Sequence, residues 1–241
     1  MRALVTGARG GIGRAIVAEL EGAGAQVAAC DLPGTGAAVG FDLRDPDAVR
    51  AGVEEAVGLL GGLDAVVANA GVVDTIHRAD RFPLEAWAKD LEANLTGAFL
   101  LAQAAFGALR EGDAPAIVFV SSASAELGLP GQAAYTASKA GIVGLARTLA
   151  SEWGALGIRV NVVMPGLIGT PKVRALPERV LTAMTASIPL GRIGEPADVA
   201  RTIAFLLGPG AAYVHGQVLR IDGGLGLSTA SLATGGEQKG H

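Results

Sequence analysis

The sequence predicts an α/β domain in which helices cover both faces of a parallel β-sheet. Short apolar segments alternate with longer segments of helical periodicity along almost the whole chain, which is typical of repeated strand–helix–strand units. The short segments are apolar at consecutive positions, as expected for strands that are buried on both faces. Half of the 241 residues are hydrophobic but only 4% are aromatic, and 36 are glycine, a composition that suits close packing of helices against a sheet.

Seven strand candidates and five helix candidates follow one another along the chain. The strand candidates are rich in Val, Ile and Ala and comprise residues 3–6, 26–31, 39–41, 65–68, 116–120, 159–164 and 218–221. The helix candidates comprise residues 12–23, 46–60, 84–109, 133–153 and 196–207. Pro46 and Pro196 each stand in a first helical turn, where the missing N–H has no partner to lose, and Asp45 is a suitable N-cap.

Three segments interrupt the alternation. Residues 32–40 are too few and too rich in glycine for a crossover helix of ordinary length. Residues 165–189 contain helix breakers at Pro171 and Pro177, and we expect residues 170–190 to form a lid over a site. Residues 1–224 then form one domain, and residues 225–241 form a Ser/Thr/Gly-rich tail whose end we expect to be disordered.

The composition excludes several classes of protein. A net charge of −4 does not supply the positive surface that nucleic-acid binding requires. The single cysteine, Cys30, excludes an intramolecular disulfide framework and a multi-cysteine metal site, and we expect no metal. No apolar stretch approaches the roughly 18 residues of a membrane span. We therefore expect a cytoplasmic protein with neither nucleic acid nor membrane as a partner.

The first strand candidate leads directly into a glycine-rich turn, Thr6-Gly7-Ala8-Arg9-Gly10-Gly11-Ile12-Gly13, which opens the first helix candidate. Binding of a pyrophosphate at a helix N-terminus requires accessible backbone N–H groups and close approach, and glycine allows both. The spacing Gly-x-x-x-Gly-x-Gly meets the general dinucleotide-binding fingerprint only in part. A tight turn without a ligand is the alternative explanation of these residues.

An acidic residue ends the second strand candidate. Asp31 follows Gly13 by 18 residues, and an acid at about 20 residues accepts hydrogen bonds from the adenosine ribose in dinucleotide-binding proteins. Its charge would also repel the additional phosphate of NADP. Arg9 has the opposite implication, because a cation near the glycine turn attracts that phosphate. We expect the carboxylate to outweigh a flexible arginine, so that NAD(H) is favoured over NADP(H).

A proton-transfer centre is predicted near the fifth strand candidate. Ser121-Ser122 ends that strand, and Tyr135 and Lys139 lie four residues apart, on one face of the fourth helix candidate. A phenol is a poor base at neutral pH, but a nearby ammonium group favours the phenolate. Lowering the pKa by about three units requires about 4 kcal/mol, which a close and desolvated charge supplies. Alone, the Tyr-x-x-x-Lys spacing also occurs on ordinary surface helices.

Further motifs resemble those of the short-chain dehydrogenase/reductase family, over residues 3–224. Besides the glycine turn, Tyr135 and Lys139, they are Asp42-Leu43, Asn69-Ala70-Gly71, Glu92-Ala93-Asn94-Leu95-Thr96-Gly97, Ser122 at thirteen residues before Tyr135, Pro165-Gly166-Leu167-Ile168-Gly169-Thr170 and Asp222-Gly223-Gly224. Within the family, residues 30–33, 131–135 and 166–171 are locally similar to short-chain 3-hydroxyacyl-CoA/hydroxysteroid dehydrogenases.

The resemblance implies a Rossmann-type doubly wound sheet of seven parallel strands, in the order 3-2-1-4-5-6-7, and an oxidoreductase that interconverts a secondary alcohol and a ketone. It implies that Tyr135 exchanges a proton with the substrate oxygen, which Ser122 orients and polarises. Lys139 would hold the nicotinamide ribose and lower the pKa of Tyr135, and Asn94 would position a water molecule that connects Lys139 to solvent. A homotetramer is also implied.

The glycine turn and the resemblance together give a set of expected cofactor contacts: Gly7, Arg9, Gly11, Ile12, Gly13, Asp31, Leu32, Asp42, Leu43, Asn69, Ala70, Gly71, Tyr135, Lys139, Pro165, Gly166, Ile168 and Thr170. The expected substrate contacts are Ser122, Ser124, Leu129, Gln132, Tyr135, Leu167, Val173 and Leu176. Because most of these substrate contacts are apolar, we expect a small to medium-sized hydrophobic carbonyl or alcohol substrate.

Two other functions are compatible with parts of the sequence. An NADPH-dependent reductase of 3-oxoacyl groups, carried by a carrier protein or by CoA, is weakly favoured by Arg9 and disfavoured by Asp31. A regulatory protein that binds a nucleotide without turnover is the other candidate. Such a protein has no need for Asn94, Ser122, Tyr135 and Lys139 together.

Overall fold

The computed structural model describes residues 1–73 and 75–227, which contain a seven-stranded parallel sheet in the order β3-β2-β1-β4-β5-β6-β7. The predicted fold class and strand order are confirmed. The strands are β1 (Arg2–Thr6), β2 (Gln26–Asp31), β3 (Val39–Gly40), β4 (Ala65–Ala68), β5 (Ala116–Val120), β6 (Arg159–Pro165) and β7 (Val218–Ile221). Because the strand order reverses between β1 and β4, a crevice opens at their carboxyl ends, where sheets of this kind bind ligands.

Helices cover both faces of the sheet. They are α1 (Gly11–Gly22), α2 (Pro46–Leu60), α3 (Leu84–Leu91), α4 (Gly97–Arg110), α5 (Ser124–Leu127), α6 (Ala133–Trp153), α7 (Pro171–Arg174), α8 (Glu178–Thr185) and α9 (Pro196–Leu207). Helices α2, α4 and α6 enclose one hydrophobic core, and α1 and α9 enclose another on the opposite face. Every residue of β4 and β5 is buried, which explains why these strands are apolar at consecutive positions.

Residues 84–109 do not form the single helix that their apolar pattern predicts. Helices α3 and α4 are joined by a π-helical turn, Glu92–Thr96, which contains Asn94. A π turn adds one residue without interrupting the helical hydrogen bonding, and Glu92–Thr96 contains no glycine or proline that would mark a break in the sequence. Asn94 is 1% exposed and faces the interior. Turns of this kind occur frequently at functional sites.

Several irregular segments are more structured than expected. The segment over residues 165–189 contains α7, which begins at Pro171 after the N-cap Thr170, and α8, which begins directly after Pro177. Helix α5 lies in a region for which the sequence predicts no element. Strand β3 ends at Gly40, one residue earlier than predicted, and no helix forms over residues 32–40, as expected.

Within the described part of the chain, no helix is both long and apolar enough to cross a membrane. The predicted tail, residues 225–241, is described only as far as Leu227. The disorder expected at its end concerns residues outside the described ranges.

Candidate active site

A cavity of about 800 Å³ lies at the carboxyl end of the sheet and brings the predicted motifs together. The segments that follow β1, β2, β4, β5 and β6 all contribute to its wall. The glycine turn lies on one side of the cavity, and Ser122, Tyr135 and Lys139 lie in the same cavity. Because parallel strands end at one edge of the sheet, residues far apart in sequence meet there.

The glycine turn has the properties of an anion-binding site. Helix α1 begins at the N-cap Gly10 without a side-chain cap and without an acidic residue in its first turn. Gly11 and Gly13 line the cavity at this helix end, where unpaired N–H groups and the helix dipole favour negative charge. A Cβ at Gly13 would stand 2.0 Å from the carbonyl oxygen of Gly7, so only glycine permits this tight turn. The turn therefore fits a pyrophosphate.

The loops after β1 and β4 are held together by hydrogen bonds. The Thr6 hydroxyl accepts from the backbone N–H groups of Asn69 and Ala70, at 3.2 Å each. The Asn69 side-chain amide donates to the carbonyl oxygens of Thr6 (2.9 Å) and Gly7 (3.2 Å). These contacts fix the crevice between the two strands before any ligand binds.

Asp31 is fixed at the rim of the same cavity. Its carboxylate accepts one hydrogen bond from the Arg9 backbone N–H (2.7 Å) and one from the Leu32 backbone N–H (2.8 Å). A carboxylate accepts about four hydrogen bonds, so capacity remains for ribose hydroxyls. The backbone of Arg9 thus positions Asp31, whereas its side chain is exposed and does not line the cavity.

Ser122, Tyr135 and Lys139 form a polar group in which Lys139 is buried and the other two are half-buried. Ser122 follows β5 and interacts with the phenol of Tyr135 on α6 strongly enough to influence its pKa. The Lys139 Nζ lies 5.7 Å from the centroid of the Tyr135 ring and donates to the carbonyl oxygen of Val120 at 2.9 Å. Burial of this ammonium group lowers its pKa from 10.5 to about 8. An ammonium group has three N–H bonds, so Lys139 retains donors for ribose hydroxyls.

The pKa of Tyr135 differs from the expectation. Burial raises it above its ordinary value of 10, because the phenolate is disfavoured away from water, and the hydrogen bond from Ser122 acts in the opposite direction. The lowering expected from Lys139 is absent in this arrangement, in which the Nζ atom is bonded to the carbonyl oxygen of Val120.

Asn94 connects the loop after β4 to α6. Its side-chain oxygen accepts from the Val72 backbone N–H (2.7 Å), and its side-chain nitrogen donates to the Val72 carbonyl (2.9 Å) and to the Ser138 hydroxyl (3.2 Å). The Ser138 hydroxyl in turn donates to the Tyr135 carbonyl at 2.7 Å. Asn94 therefore positions the residues around Tyr135, and its predicted water contact stays a prediction.

Most of the predicted site residues line the cavity. These are Gly7, Gly11, Ile12, Gly13, Asp31, Leu32, Asp42, Leu43, Asn69, Ala70, Gly71, Ser122, Tyr135, Lys139, Pro165, Gly166, Leu167, Ile168, Thr170 and Val173. Six predicted residues are not among the lining residues of this cavity: Arg9, Asn94, Ser124, Leu129, Gln132 and Leu176. Ser124 is buried behind Ser122, whereas Leu129 and Leu176 are about 40% exposed.

The structure also places residues at the site that the sequence does not indicate. Arg44 and Lys89 line the cavity, and Arg44 binds the Asp42 carboxylate through its guanidinium group and holds the pKa of that carboxyl below its usual value. No motif distinguishes such cations from ordinary surface residues. The sequence could have identified Ser138 as a site residue, because it lies three residues after Tyr135 and so on a neighbouring part of the same helix face.

Residues 7–226 match the model of a protein family described as "Enoyl-(Acyl carrier protein) reductase". The chain belongs to the short-chain dehydrogenase/reductase family. This membership confirms the predicted resemblance and makes the protein an oxidoreductase that acts on CH–OH or keto groups.

Curated relatives and solved structures match nearly the whole chain. It is 41% identical to the (3R)-3-hydroxyacyl-CoA dehydrogenase of Rattus norvegicus, over 92% of this chain and 95% of that protein. It is 38% identical to the 3-oxoacyl-[acyl-carrier-protein] reductase MabA of Mycobacterium tuberculosis (strain ATCC 25618 / H37Rv), over 93% of this chain and 92% of that protein. The crystal structure of a 3-ketoacyl-(acyl-carrier-protein) reductase from Brucella melitensis complexed with NADH has a TM-score of 0.85 and 29% identity, covering 93% of this chain and 98% of that one.

Proposed function

We propose that this protein interconverts a 3-hydroxyacyl thioester and the corresponding 3-oxoacyl thioester, with NAD(H) as the cofactor. The observation that carries the proposal is the position of Ser122, Tyr135 and Lys139 in the same cavity as the glycine turn. A cavity that contains both a pyrophosphate site and a phenol–ammonium pair has the groups needed to oxidise an alcohol or reduce a ketone. When bound, the nicotinamide supplies or accepts the hydride.

Tyr135 transfers the proton in this mechanism. In the reductive direction its hydroxyl donates a proton to the carbonyl oxygen, which becomes the hydroxyl of the product. In the oxidative direction the phenolate takes the proton from the alcohol. Ser122, which lines the same cavity as the phenol, donates a hydrogen bond to the same substrate oxygen and stabilises the negative charge that develops there.

Lys139 would hold the ribose next to the nicotinamide. Its Nζ atom is buried and fixed by the carbonyl oxygen of Val120, so two of its N–H bonds remain for the ribose hydroxyls. With a pKa of about 8, the ammonium group is half deprotonated near pH 8, so the positive charge that it brings to the site declines as the pH rises through that value.

The cofactor proposal rests on Asp31. Its carboxylate is fixed by the backbone N–H groups of Arg9 and Leu32 and lines the cavity. At this position a carboxylate binds the two ribose hydroxyls of NAD and repels the 2′-phosphate of NADP. The exposed side chain of Arg9 does not line the cavity, so it is poorly placed to bind that phosphate.

The substrate class is supported by the relatives, two of which carry 3-hydroxyacyl or 3-oxoacyl groups in their names. The cavity wall near the lid is also apolar, with Val72, Leu167 and Val173, and accommodates an acyl chain. The small hydrophobic ketone expected from the sequence is compatible with the same wall.

The test is NADH oxidation with acetoacetyl-CoA, an aryl methyl ketone, a cyclic diketone and a steroid ketone, with NADPH in parallel. We expect the fastest turnover with acetoacetyl-CoA and NADH. Asp31→Ala should weaken NADH binding about tenfold or more and improve the use of NADPH, because a charge-assisted hydrogen bond and a repulsion are both removed. Wild-type turnover with NADPH alone would contradict the cofactor proposal, and turnover of only a ketone without a thioester would contradict the substrate class.

A further inference from the structure

The hydroxyl of Ser122 is surrounded by more hydrogen-bonding groups than its expected role requires. Its Oγ atom accepts from the backbone N–H of Ser124 at 3.2 Å and from the hydroxyl of Ser124 at 3.0 Å. Ser122 and Tyr135 both line the cavity, whereas Ser124 does not. A hydroxyl has two acceptor lone pairs and one proton. When Ser124 occupies both lone pairs, the single proton of Ser122 is left to point away from Ser124, toward the cavity and Tyr135.

We propose that Ser124 is a positioning residue that directs the Ser122 proton toward Tyr135 and the adjacent substrate oxygen. Among the described residues, the hydrogen bonds that reach the Ser122 hydroxyl oxygen come from the backbone and the side chain of Ser124. The inference deepens the proposed function and rests on it, since it concerns the same proton transfer. It assigns Ser124 a role different from the substrate contact that the sequence predicts.

Ser124 is held firmly enough for such a role. It is 8% exposed and is the first residue of α5, where its carbonyl oxygen accepts from the Gly128 backbone N–H at 2.8 Å. The helix has only four residues, but an arginine on β7 holds it in place. Arg220 on β7 donates to the Glu126 carboxylate at 3.2 Å and to the Asp222 carboxylate at 2.6 Å.

The segment that follows β7 also contacts α5. Gly226 follows the strand with a φ of +85°, and a Cβ at this position would stand 2.7 Å from Leu127, so the chain passes directly over the end of α5. The position of Ser124 is thus determined by contacts on the side away from the substrate. A residue with this support is suited to orient Ser122 without touching the substrate itself.

The opposite direction of the hydrogen bond between Ser122 and Ser124 would have different consequences. If Ser122 donates its proton to Ser124, the Ser124 hydroxyl competes with Tyr135 and with the substrate oxygen for that proton. Removal of the Ser124 hydroxyl would then increase the rate and lower the pKa of Tyr135. If Ser124 donates to Ser122, as proposed, removal has the reverse effects on both quantities.

The kinetic test compares Ser124→Ala, Ser124→Thr and Glu126→Gln with the wild-type enzyme, using acetoacetyl-CoA and NADH. We expect Ser124→Ala to lower kcat about fivefold to tenfold with KM changed by less than about twofold, because one hydrogen bond to the reacting group is lost. Ser124→Thr retains the hydroxyl and should restore most of kcat. Glu126→Gln weakens the contact between Arg220 and α5 but keeps the Ser124 hydroxyl. It therefore shows how much a less firmly held α5 changes kcat and KM.

A second test does not depend on turnover. The chain has two tyrosines, and Tyr213 is fully exposed, so the Tyr213→Phe variant leaves Tyr135 as its single phenol. The ultraviolet absorbance of the phenolate, followed against pH, then gives the pKa of Tyr135 directly. In this background Ser124→Ala and Ser122→Ala should each raise the pKa, and the combined variant should match Ser122→Ala alone, because Ser124 acts through Ser122.

Three results would overturn the inference. They are an unchanged pKa in the Ser124→Ala variant, a lowered pKa, and an effect of Ser124→Ala that persists when Ser122 is already alanine. Circular dichroism of each variant shows whether it is folded, and Ser124→Thr replaces Ser124→Ala if the alanine variant is not. Absence of turnover in the wild type together with the expected pKa changes would reject the proposed function and leave the role of Ser124 intact.

Discussion

The floor of the cavity (the glycine turn, Ser122, Tyr135 and Lys139) and its lid (α7 and α8) differ in how the rest of the protein supports them. Ser122, Tyr135 and Lys139 follow a fully buried strand or lie in the long helix α6. The side chains of Ser122 and Lys139 have hydrogen bonds to neighbouring groups of the protein, and the backbone carbonyl of Tyr135 accepts one from Ser138. The lid helices α7 and α8 contain no buried residue. Their connection to the domain includes the ion pair between Arg174 and Glu195, whose side chains are both about half exposed.

This difference in support corresponds to the different precision that proton transfer and substrate selection require. Groups that transfer a proton must be held within a few tenths of an ångström, and this requires rigid elements with internal hydrogen bonds. Groups that select a substrate tolerate looser support, because an apolar wall discriminates weakly between similar chains. Few buried contacts also give a segment a low local stability, so the lid is suited to open and close around a substrate.

The largest effect is expected at the floor. Tyr135→Phe removes one oxygen from a half-buried ring and should lower kcat by about 10³-fold or more, because the group that transfers the proton is lost. NADH affinity, measured by fluorescence titration, should stay within about twofold of the wild-type value, since the phenol is not needed to hold the pyrophosphate or the adenosine ribose. A rate near that of the wild type would show that another group transfers the proton.

A glycine in the turn at the floor should respond more strongly than a glycine at the far end of the same helix. In Gly13→Ala the new Cβ would stand 2.0 Å from the carbonyl oxygen of Gly7, and the neighbouring atoms are backbone that cannot move aside. We expect a loss of about 3 kcal/mol in the free energy of unfolding and a loss of NADH binding. Urea denaturation with and without NADH measures both.

The matched control is Gly22→Ala, at the end of α1, where a Cβ has no neighbour within 4 Å. This variant should be unchanged or more stable by about 0.5–1 kcal/mol, because alanine restricts the unfolded chain more than glycine does. Equal losses at the two positions would mean that the close contact in the turn does not account for the effect of Gly13→Ala, because alanine at Gly22 meets no neighbour and favours the helix more than glycine does.

The sequence predicts the floor better than the lid for physical reasons. Residues of the floor carry motifs with a chemical requirement, such as the glycines of the turn or the spacing of Tyr135 and Lys139, and they follow strands that periodicity identifies. The π turn around Asn94 is missed because its residues include no glycine or proline that would mark a break in the helix. The homotetramer stays a prediction, since it depends on surfaces that a single chain does not pair.

Substrate contacts are less predictable because they depend on where short segments turn. Ser124 is buried behind Ser122, and Leu129 and Leu176 lie outside the cavity wall, although all three are close in sequence to motif residues. Helix α5 determines the position of Ser124, and it consists of only four residues without a periodic pattern. No composition or spacing distinguishes such a segment from a loop.

The smallest effect is expected in the lid. Arg174 donates to both carboxylate oxygens of Glu195 at 2.7 Å and to the carbonyl oxygen of Gly169 at 3.0 Å, and thereby ties α7 to the start of α9. Arg174→Gln should change the free energy of unfolding by less than about 1 kcal/mol, because exposed ion pairs contribute little. It should raise KM for acetoacetyl-CoA by about twofold to fivefold and leave kcat almost unchanged, because we expect α7 to contact the substrate without taking part in the proton transfer.

Arg201→Gln is the control for this variant, because Arg201 is about as exposed as Arg174 and forms an ion pair with Asp198 on α9, outside the lid. It should leave both KM and kcat at their wild-type values. A fall in kcat of the Arg174→Gln variant at constant KM would contradict the division between floor and lid. It would mean that the Arg174 contact acts on the proton transfer at Tyr135, and α7 would then belong with the rigid elements that hold the reacting groups.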